Sequence, residues 1–251
     1  MHPAITDAAA LAGVSLGDGS GPGWVPYPEL LTPEALTALV DRTAAWFGGC
    51  PTRAARAAAA TLALGDIAAA VAGPVAAALV ARRRALTVSP GGLALRFGPG
   101  GVTAIAVDGP AVAVLAGDPV AGTVRPDVGA LRETVATGYT ALLAPLVDAL
   151  APIARRGRRG LRAEAVERLA AALFLAARSA GRPYDARAEV EAVVGPVPWV
   201  EIPPGALPWK RRTVCCLAYQ IPRLAGGYCA TCPLVSPDDT VRRTGAWLSG
   251  R

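Results

Sequence analysis

The stretch between residues 85 and 107, ALTVSPGGLALRFGPGGVTAIAV, decides the fold class. Three short runs of mainly aliphatic residues, at 85–88, 92–97 and 102–107, predict strands, and the Ser-Pro-Gly and Gly-Pro-Gly-Gly segments between them are strong turn signals. A fourth strand is predicted at 111–115. Strands this short make a small antiparallel meander, which needs helices packed on one face.

Helical patterns lie on the N-terminal side of these strands. Thr32 is a good N-cap residue and Pro33 suits the first helical position, so a helix is predicted from there to about residue 47. Two more helices are predicted over 52–64 and 66–84, the second interrupted at Pro74 because proline breaks or kinks a helix interior.

Helical patterns also follow the strands. Apolar residues recur at three- and four-residue steps from Leu131 to Leu150, which indicates a core-facing helix. Further helices are predicted over 162–180 and 184–194, followed by a proline-broken, extended segment at 196–208. We therefore predict an α+β, predominantly helical fold, in which alanine-rich helices pack on the small antiparallel meander and a cysteine-rich loop lies at the C-terminus.

Three regions are predicted along the chain. Residues 1–24 are expected to be a flexible N-terminal segment, 25–208 a helical body containing the small sheet (about 85–116), and 209–251 a separate C-terminal cysteine-rich segment. The mean hydropathy is +0.38, but much of this value comes from alanine. The longest uncharged apolar stretch, 67–81, is shorter than the roughly 20 residues of a spanning helix. We expect neither a transmembrane span nor a signal peptide.

The C-terminal segment contains four of the five cysteines in the chain, Cys215, Cys216, Cys229 and Cys232. This concentration of thiols indicates a shared inorganic centre. The C-x2-C half of the pattern is typical of zinc sites, but the adjacent pair lacks the spacer that a zinc knuckle needs. A [2Fe-2S] cluster suits the vicinal pair better, because its two irons accept four thiolates between them. We therefore predict that 209–251 is a C-terminal [2Fe-2S]-binding segment.

Other uses of these thiols fit the pattern less well. A disulfide between neighbours would need a Cα separation below the usual range. Rieske ligation needs two histidines, and the chain has only His2. A zinc site and free or disulfide-bonded thiols remain open alternatives.

The segment Arg212-Thr213-Val214-Cys215-Cys216-Leu217-Ala218-Tyr219, followed by Gly226-Gly227-Tyr228-Cys229-Ala230-Thr231-Cys232-Pro233-Leu234, resembles the C-terminal signature of FhuF-like ferric siderophore reductases. The resemblance implies that all four cysteines are ligands of a [2Fe-2S] cluster and act in catalysis. This chain has twelve residues between the two pairs, where about ten are expected. The turn-rich segment 221–227 can absorb the insertion.

The resemblance also implies an activity: one-electron reduction of a cytoplasmic ferric siderophore, which releases Fe(II). The expected partners are the ferric siderophore and an electron donor such as a ferredoxin or flavin reductase. Nucleic acid is not expected as a partner, and peripheral membrane association is left open. The alternative is a non-enzymatic iron–sulfur or zinc module for redox or iron sensing or partner binding.

Positive charge is concentrated beside the cysteines. Residues 210–251 carry seven of the lysines and arginines against two aspartates, in a chain of net charge +6. Cations near a cluster stabilise its more negative, reduced form, and they also steer anionic ligands. A second group of four arginines lies at 155–159, where an exposed loop is expected and anion binding is the alternative.

Overall fold

The computed structural model describes residues 15–224 and 227–249. It is 55% helical with small sheets, so the predicted α+β, predominantly helical class is confirmed. In the described residues the helices are α1 Tyr27–Leu30, α2 Pro33–Trp46, α3 Arg53–Arg82, α4 Val128–Ala154, α5 Arg158–Ser179, α6 Ala186–Val194 and α7 Pro237–Leu248. The strands are β1 Trp24–Pro26, β2 Ala85–Thr87, β3 Leu93–Gly98, β4 Gly101–Val107, β5 Ala111–Leu115, β6 Thr123–Arg125, β7 Trp199–Ile202 and β8 Leu207–Lys210.

Helix α2 begins as predicted. The Thr32 hydroxyl accepts a hydrogen bond from the Ala35 amide at 3.2 Å, and Pro33 occupies the first helical position. The helix ends at Trp46, followed by Gly48 and Gly49 with positive φ, a conformation that glycine adopts easily.

Helix α3 differs from its prediction. It is one continuous helix of 30 residues, whereas two helices with an interruption at Pro74 were expected. Proline in a helix interior removes one backbone hydrogen bond and clashes with the preceding turn. Here Pro74 is buried, and most of the residues around it are buried as well. The apolar packing of this central helix offsets the cost of the proline. This packing involves residues that are distant in sequence, so the local sequence pattern could not predict it.

The core lies between α3, α4 and α5. The predicted stripe of α4 is buried throughout, including Leu131, Tyr139 and Leu150. The Tyr139 hydroxyl lies 3.0 Å from both the Ala68 carbonyl on α3 and the Ala165 carbonyl on α5. One buried side chain therefore connects the three helices.

The first six strands are divided between two three-stranded sheets. In one, β1 pairs with β3 and β3 with β4, both antiparallel; in the other, β2 pairs antiparallel with β5, and β5 pairs parallel with β6. The topology thus differs from a single meander. The 3-10 turn Pro90–Gly92 lies between β2 and β3, which belong to different sheets.

The segments on either side of the two predicted boundaries, at residues 24 and 208, contain more regular structure than the sequence indicated. The segment 196–208, predicted to be extended, contains most of an antiparallel hairpin made by β7 and β8, which runs through the predicted boundary at residues 208 and 209. Residues 1–14 of the predicted flexible segment lie outside the described residues. The Gly17 amide donates to the Ile105 carbonyl of β4 at 3.0 Å. The three-region division stays a prediction.

Two helices, α3 and α4, are long and apolar enough to cross a membrane by length and composition alone. The most apolar window of α3 is 78% buried inside the protein, and that of α4 is 39% buried. Because core helices of soluble proteins pass the same test, this finding is weak evidence for a membrane span.

Candidate iron–sulfur centre

The cysteine-rich loop follows β8 and lies against the helical core. The Arg212 amide donates to the Thr231 carbonyl at 2.9 Å, which brings the two ends of the loop together. Leu217 has a positive φ of 64°, so the chain turns sharply directly after the vicinal pair. The 3-10 turn Ala218–Gln220 that follows packs against α3. A second short turn, Pro222–Leu224, lies in the region expected to absorb the insertion.

The four thiols lie in two pairs, each with one member from the vicinal cysteines. The sulfur atoms of Cys215 and Cys232 are 4.0 Å apart. Cys216 and Cys229 are hydrogen-bonded to each other through their side chains. Cys216 and Cys232 are buried, Cys215 is half-buried and Cys229 is exposed. The sequence therefore places the right residues together, but its spacing alone does not say which thiols are neighbours.

Backbone amides also face the thiols. The Leu217 amide donates to the Cys215 sulfur at 3.3 Å, and the Ala218 amide donates to Cys216. The Cys232 amide donates to the Cys229 carbonyl at 3.0 Å, which closes the turn between the two cysteines of the C-x2-C half. Amide donors stabilise thiolate over thiol, the form in which cysteine binds metals.

The thiol pKa values differ within the loop. The Cys229 thiol donates a hydrogen bond that lowers the pKa of Cys216 to about 6, and the Arg212 guanidinium favours the thiolate further. The same hydrogen bond raises the pKa of Cys229. Burial raises the pKa of Cys215. Among Cys215, Cys216 and Cys229, Cys216 is therefore the one whose surroundings most favour the thiolate.

Two glutamates on α5 hold the first part of the loop, and sequence reasoning did not identify them. Glu167 accepts hydrogen bonds from Lys210 and, at 3.0 and 2.9 Å, from the amide and hydroxyl of Thr213. Glu164 accepts from Arg212 at 2.6 Å and from Arg168 at 3.0 Å. The two side chains are 2% and 0% exposed.

These ion pairs explain how a charged segment can be buried. Burial alone would lower the pKa of Lys210, and Glu167 opposes this effect. Both glutamates occur one turn apart on α5, on the face that also carries buried Leu161 and Leu169. Acidic residues on the apolar face of a helix were the sequence signal, because buried carboxylates need cationic partners.

Arg156 is a third contact between the body and the loop. Its guanidinium donates to the Cys215 carbonyl at 3.0 Å and to the Thr61 hydroxyl of α3 at 3.1 Å. It belongs to the arginine group at 155–159 that the sequence singled out, so one member of that group lies at the cysteine loop. This position places a cation beside the vicinal pair.

The basic tail is extensively partnered. Besides Lys210 and Arg212, Arg211 donates to the Val235 carbonyl, Arg223 to the Trp46 carbonyl and Arg243 to the Tyr228 carbonyl. Arg242 pairs with Asp239, and Arg251 lies outside the described residues. Much of the positive charge predicted in the tail therefore takes part in salt bridges and in hydrogen bonds to backbone carbonyls, and these contacts fix the loop.

Nearby aromatic residues divide into two groups. Trp209 packs on Phe174 and Trp247, with ring centroids 5.2 and 6.0 Å away, and belongs to the hairpin and helix packing. Tyr219 and Tyr228 contact each other within the cysteine loop, with their ring centroids 5.0 Å apart. The fifth cysteine, Cys50, lies half-buried in the connection between α2 and α3.

The donor set fits a two-iron cluster better than a single metal ion. In the described part of the chain, no three His, Cys, Asp or Glu side chains converge on one metal-ion position. A mononuclear zinc site with four cysteines needs all four sulfurs around one point. Two thiol pairs match the needs of two irons, each of which takes two thiolates.

Comparison with known families bears on the same segment. Residues 212–234 match the family model of the FhuF 2Fe-2S C-terminal domain. No curated protein matches the chain. The matched residues run from Arg212, held by Glu164, to Leu234, and they include all four cysteines. The family indicates a [2Fe-2S] cluster and an iron–sulfur, siderophore reductase-like role. The resemblance stated from the sequence is confirmed for this segment: residues 212–234 match the FhuF 2Fe-2S C-terminal domain, which supports a FhuF-like family.

Proposed function

We propose that this protein is an oxidoreductase that reduces a ferric siderophore by one electron in the cytoplasm, with Cys215, Cys216, Cys229 and Cys232 as the cluster ligands. The single observation that carries the proposal is the arrangement of these thiols as two adjacent pairs within the segment matched by the 2Fe-2S domain. Two pairs of thiolates suit two irons.

When bound, a [2Fe-2S] cluster held by the four cysteines would supply one-electron transfer, which converts the ferric ion of the chelate to ferrous ion. The electron is restored by a donor such as a ferredoxin or flavin reductase. Ferrous ion suits the hard oxygen ligands of a siderophore less well than ferric ion does, so it leaves the chelate more readily.

The residues of this chain position the centre and set its electrostatics. Glu164 and Glu167 fix the entry of the loop through Arg212, Lys210 and Thr213. Arg156 places positive charge at the Cys215 carbonyl. Since reduction adds a negative charge, cations at this distance favour the reduced state. Electron transfer needs no general acid or nucleophile, which agrees with the lack of histidines beyond His2.

Stopped-flow spectroscopy tests the proposal. The anaerobically reduced protein is mixed with a panel of ferric siderophores, and its visible absorption is followed together with trapping of Fe(II) by a ferrous chelator. We expect the amount of Fe(II) released to equal the amount of reduced protein that is oxidised. Cys50→Ser is the matched control, because it removes a thiol outside the loop.

Two results would contradict the proposal. One is a Cys232→Ser variant that keeps full reductase activity. The other is a reduced, cluster-containing protein that no ferric chelate oxidises; this outcome favours the non-enzymatic sensing alternative.

A further inference from the structure

A basic pocket is lined in part by Arg155, the residue before Arg156, which contacts the cysteine loop. It lies between the start of α3 and the end of α4, and its volume is about 380 Å³. This size falls within the usual range for small-molecule sites, roughly 300–1,000 Å³. The lining residues include Arg53, Arg56 and Arg155 together with apolar residues such as Pro152 and Ile153.

The charge of this pocket is of one sign. Its wall, which lies wholly within the described residues, contains three arginines and no aspartate or glutamate. Arg56 pairs with Asp41 at 2.6 Å outside the wall, whereas Arg53 and Arg155 form no ion pair with any described residue. Two guanidinium groups are therefore free to meet an anion.

Helix dipoles do not account for the positive charge of the pocket. The N-terminus of α3 carries a partial positive charge, but the C-terminus of α4 at the same pocket carries a partial negative one. The two ends oppose each other, so the guanidinium groups carry the attraction. They present planar, fork-like donors, which suit carboxylate, catecholate and other oxygen anions.

The position of the pocket connects it to the cysteines. Arg155 caps α4 in the left-handed conformation, with φ of 49°. The next residue, Arg156, donates to the Cys215 carbonyl at 3.0 Å. The pocket wall and the contact to the vicinal pair are thus consecutive residues.

We infer that this pocket, through Arg53, Arg56 and Arg155, binds an anionic ferric chelate next to the cysteine loop. The inference rests on the proposed function for its redox role, but binding can be measured without any electron transfer. It also predicts selectivity: a triply negative tris-catecholate complex binds better than a neutral tris-hydroxamate complex, because only the former gains from the guanidinium charges.

Calorimetry with redox-inert gallium(III) complexes tests the binding directly on the cluster-containing protein. We expect the gallium tris-catecholate to bind the wild type, and Arg53→Gln/Arg155→Gln to weaken this binding about tenfold or more at low salt. The control Arg125→Gln/Arg187→Gln removes the same charge from exposed sites on β6 and α6 and should leave the affinity unchanged.

The outcomes separate the two proposals. The pocket assignment is overturned if both double variants weaken the binding of the gallium tris-catecholate equally. It is also overturned if inorganic phosphate at a matched concentration binds as well as the complex and displaces it. If the wild type binds the gallium complex but its reduced form does not reduce the iron complex, the pocket stands and the reductase function fails. If the wild type reduces the iron tris-catecholate and the Arg53→Gln/Arg155→Gln variant does so at the same rate and affinity, only the pocket assignment fails.

Discussion

Replacing Glu167 with alanine removes the acidic partner of the buried Lys210 and the acceptor for two hydrogen bonds from Thr213. Lys210 and Glu167 side chains are 4% and 2% exposed. Breaking a buried pair by deleting one partner costs about 3–5 kcal/mol, because the other charge stays buried without compensation. Each kcal/mol lowers the melting temperature of a protein this size by about 2–4 °C, so we expect a fall of about 6–20 °C.

The assay compares thermal unfolding, followed by circular dichroism, with loss of the visible cluster absorption at a fixed temperature. Both should be affected, since Thr213 lies two residues before Cys215. Glu133→Ala is the matched control: it is also a helical glutamate, but it is exposed on α4, and its effect should stay within about 0.5 kcal/mol.

A double variant sharpens the test. In Glu167→Gln/Lys210→Met the buried charges are removed together, and the glutamine oxygen can still accept from Thr213. We expect this double variant to recover most of the lost stability, because well-packed neutral residues often replace a buried ion pair at little cost. The reasoning is refuted if Glu167→Ala unfolds like Glu133→Ala, or if the double variant is no more stable than Glu167→Ala.

Three further predictions concern other positions. Arg156→Gln removes a cation beside Cys215 without leaving an acid unpaired, so the midpoint potential in an EPR-monitored redox titration should fall by tens of millivolts; no shift relative to Arg125→Gln would contradict this. Burial raises the pKa of Asp66 to about 6 in the folded protein, so the stability that its protonated form contributes is lost as the pH rises through that value. The free energy of unfolding of Asp66→Asn, measured in urea, should therefore rise by about 1–3 kcal/mol relative to that of the wild type between pH 4.5 and pH 8. A difference between the two proteins that does not change with pH would count against this prediction. Cys216→Ser should abolish or strongly shift the cluster spectrum, and an unaltered spectrum would remove Cys216 from the ligand set.

Local signals predicted much of the fold. Thr32 and Pro33 located the start of α2, and the spacing from Leu131 to Leu150 identified the buried face of α4. These features depend on residues close in sequence. The continuity of α3 through Pro74 and the division of β1–β6 between two sheets depend on packing between distant segments, which local patterns do not encode.

The candidate site shows the same division. Four cysteines in one short segment were sufficient to predict a cluster and a family. The pairing of Cys215 with Cys232, and the support from Glu164, Glu167 and Arg156, required the three-dimensional arrangement of α5 and the loop. A glutamate on the apolar face of α5 was visible in the sequence, but its cationic partner lies more than 40 residues away.

The most direct test of the account is chemical analysis of the protein purified without oxygen, combined with its ultraviolet–visible spectrum. The account predicts a brown protein with charge-transfer bands and about two irons and two acid-labile sulfides per chain. A colourless protein that contains about one zinc per chain, and that takes up no iron or sulfide on reconstitution, would contradict it.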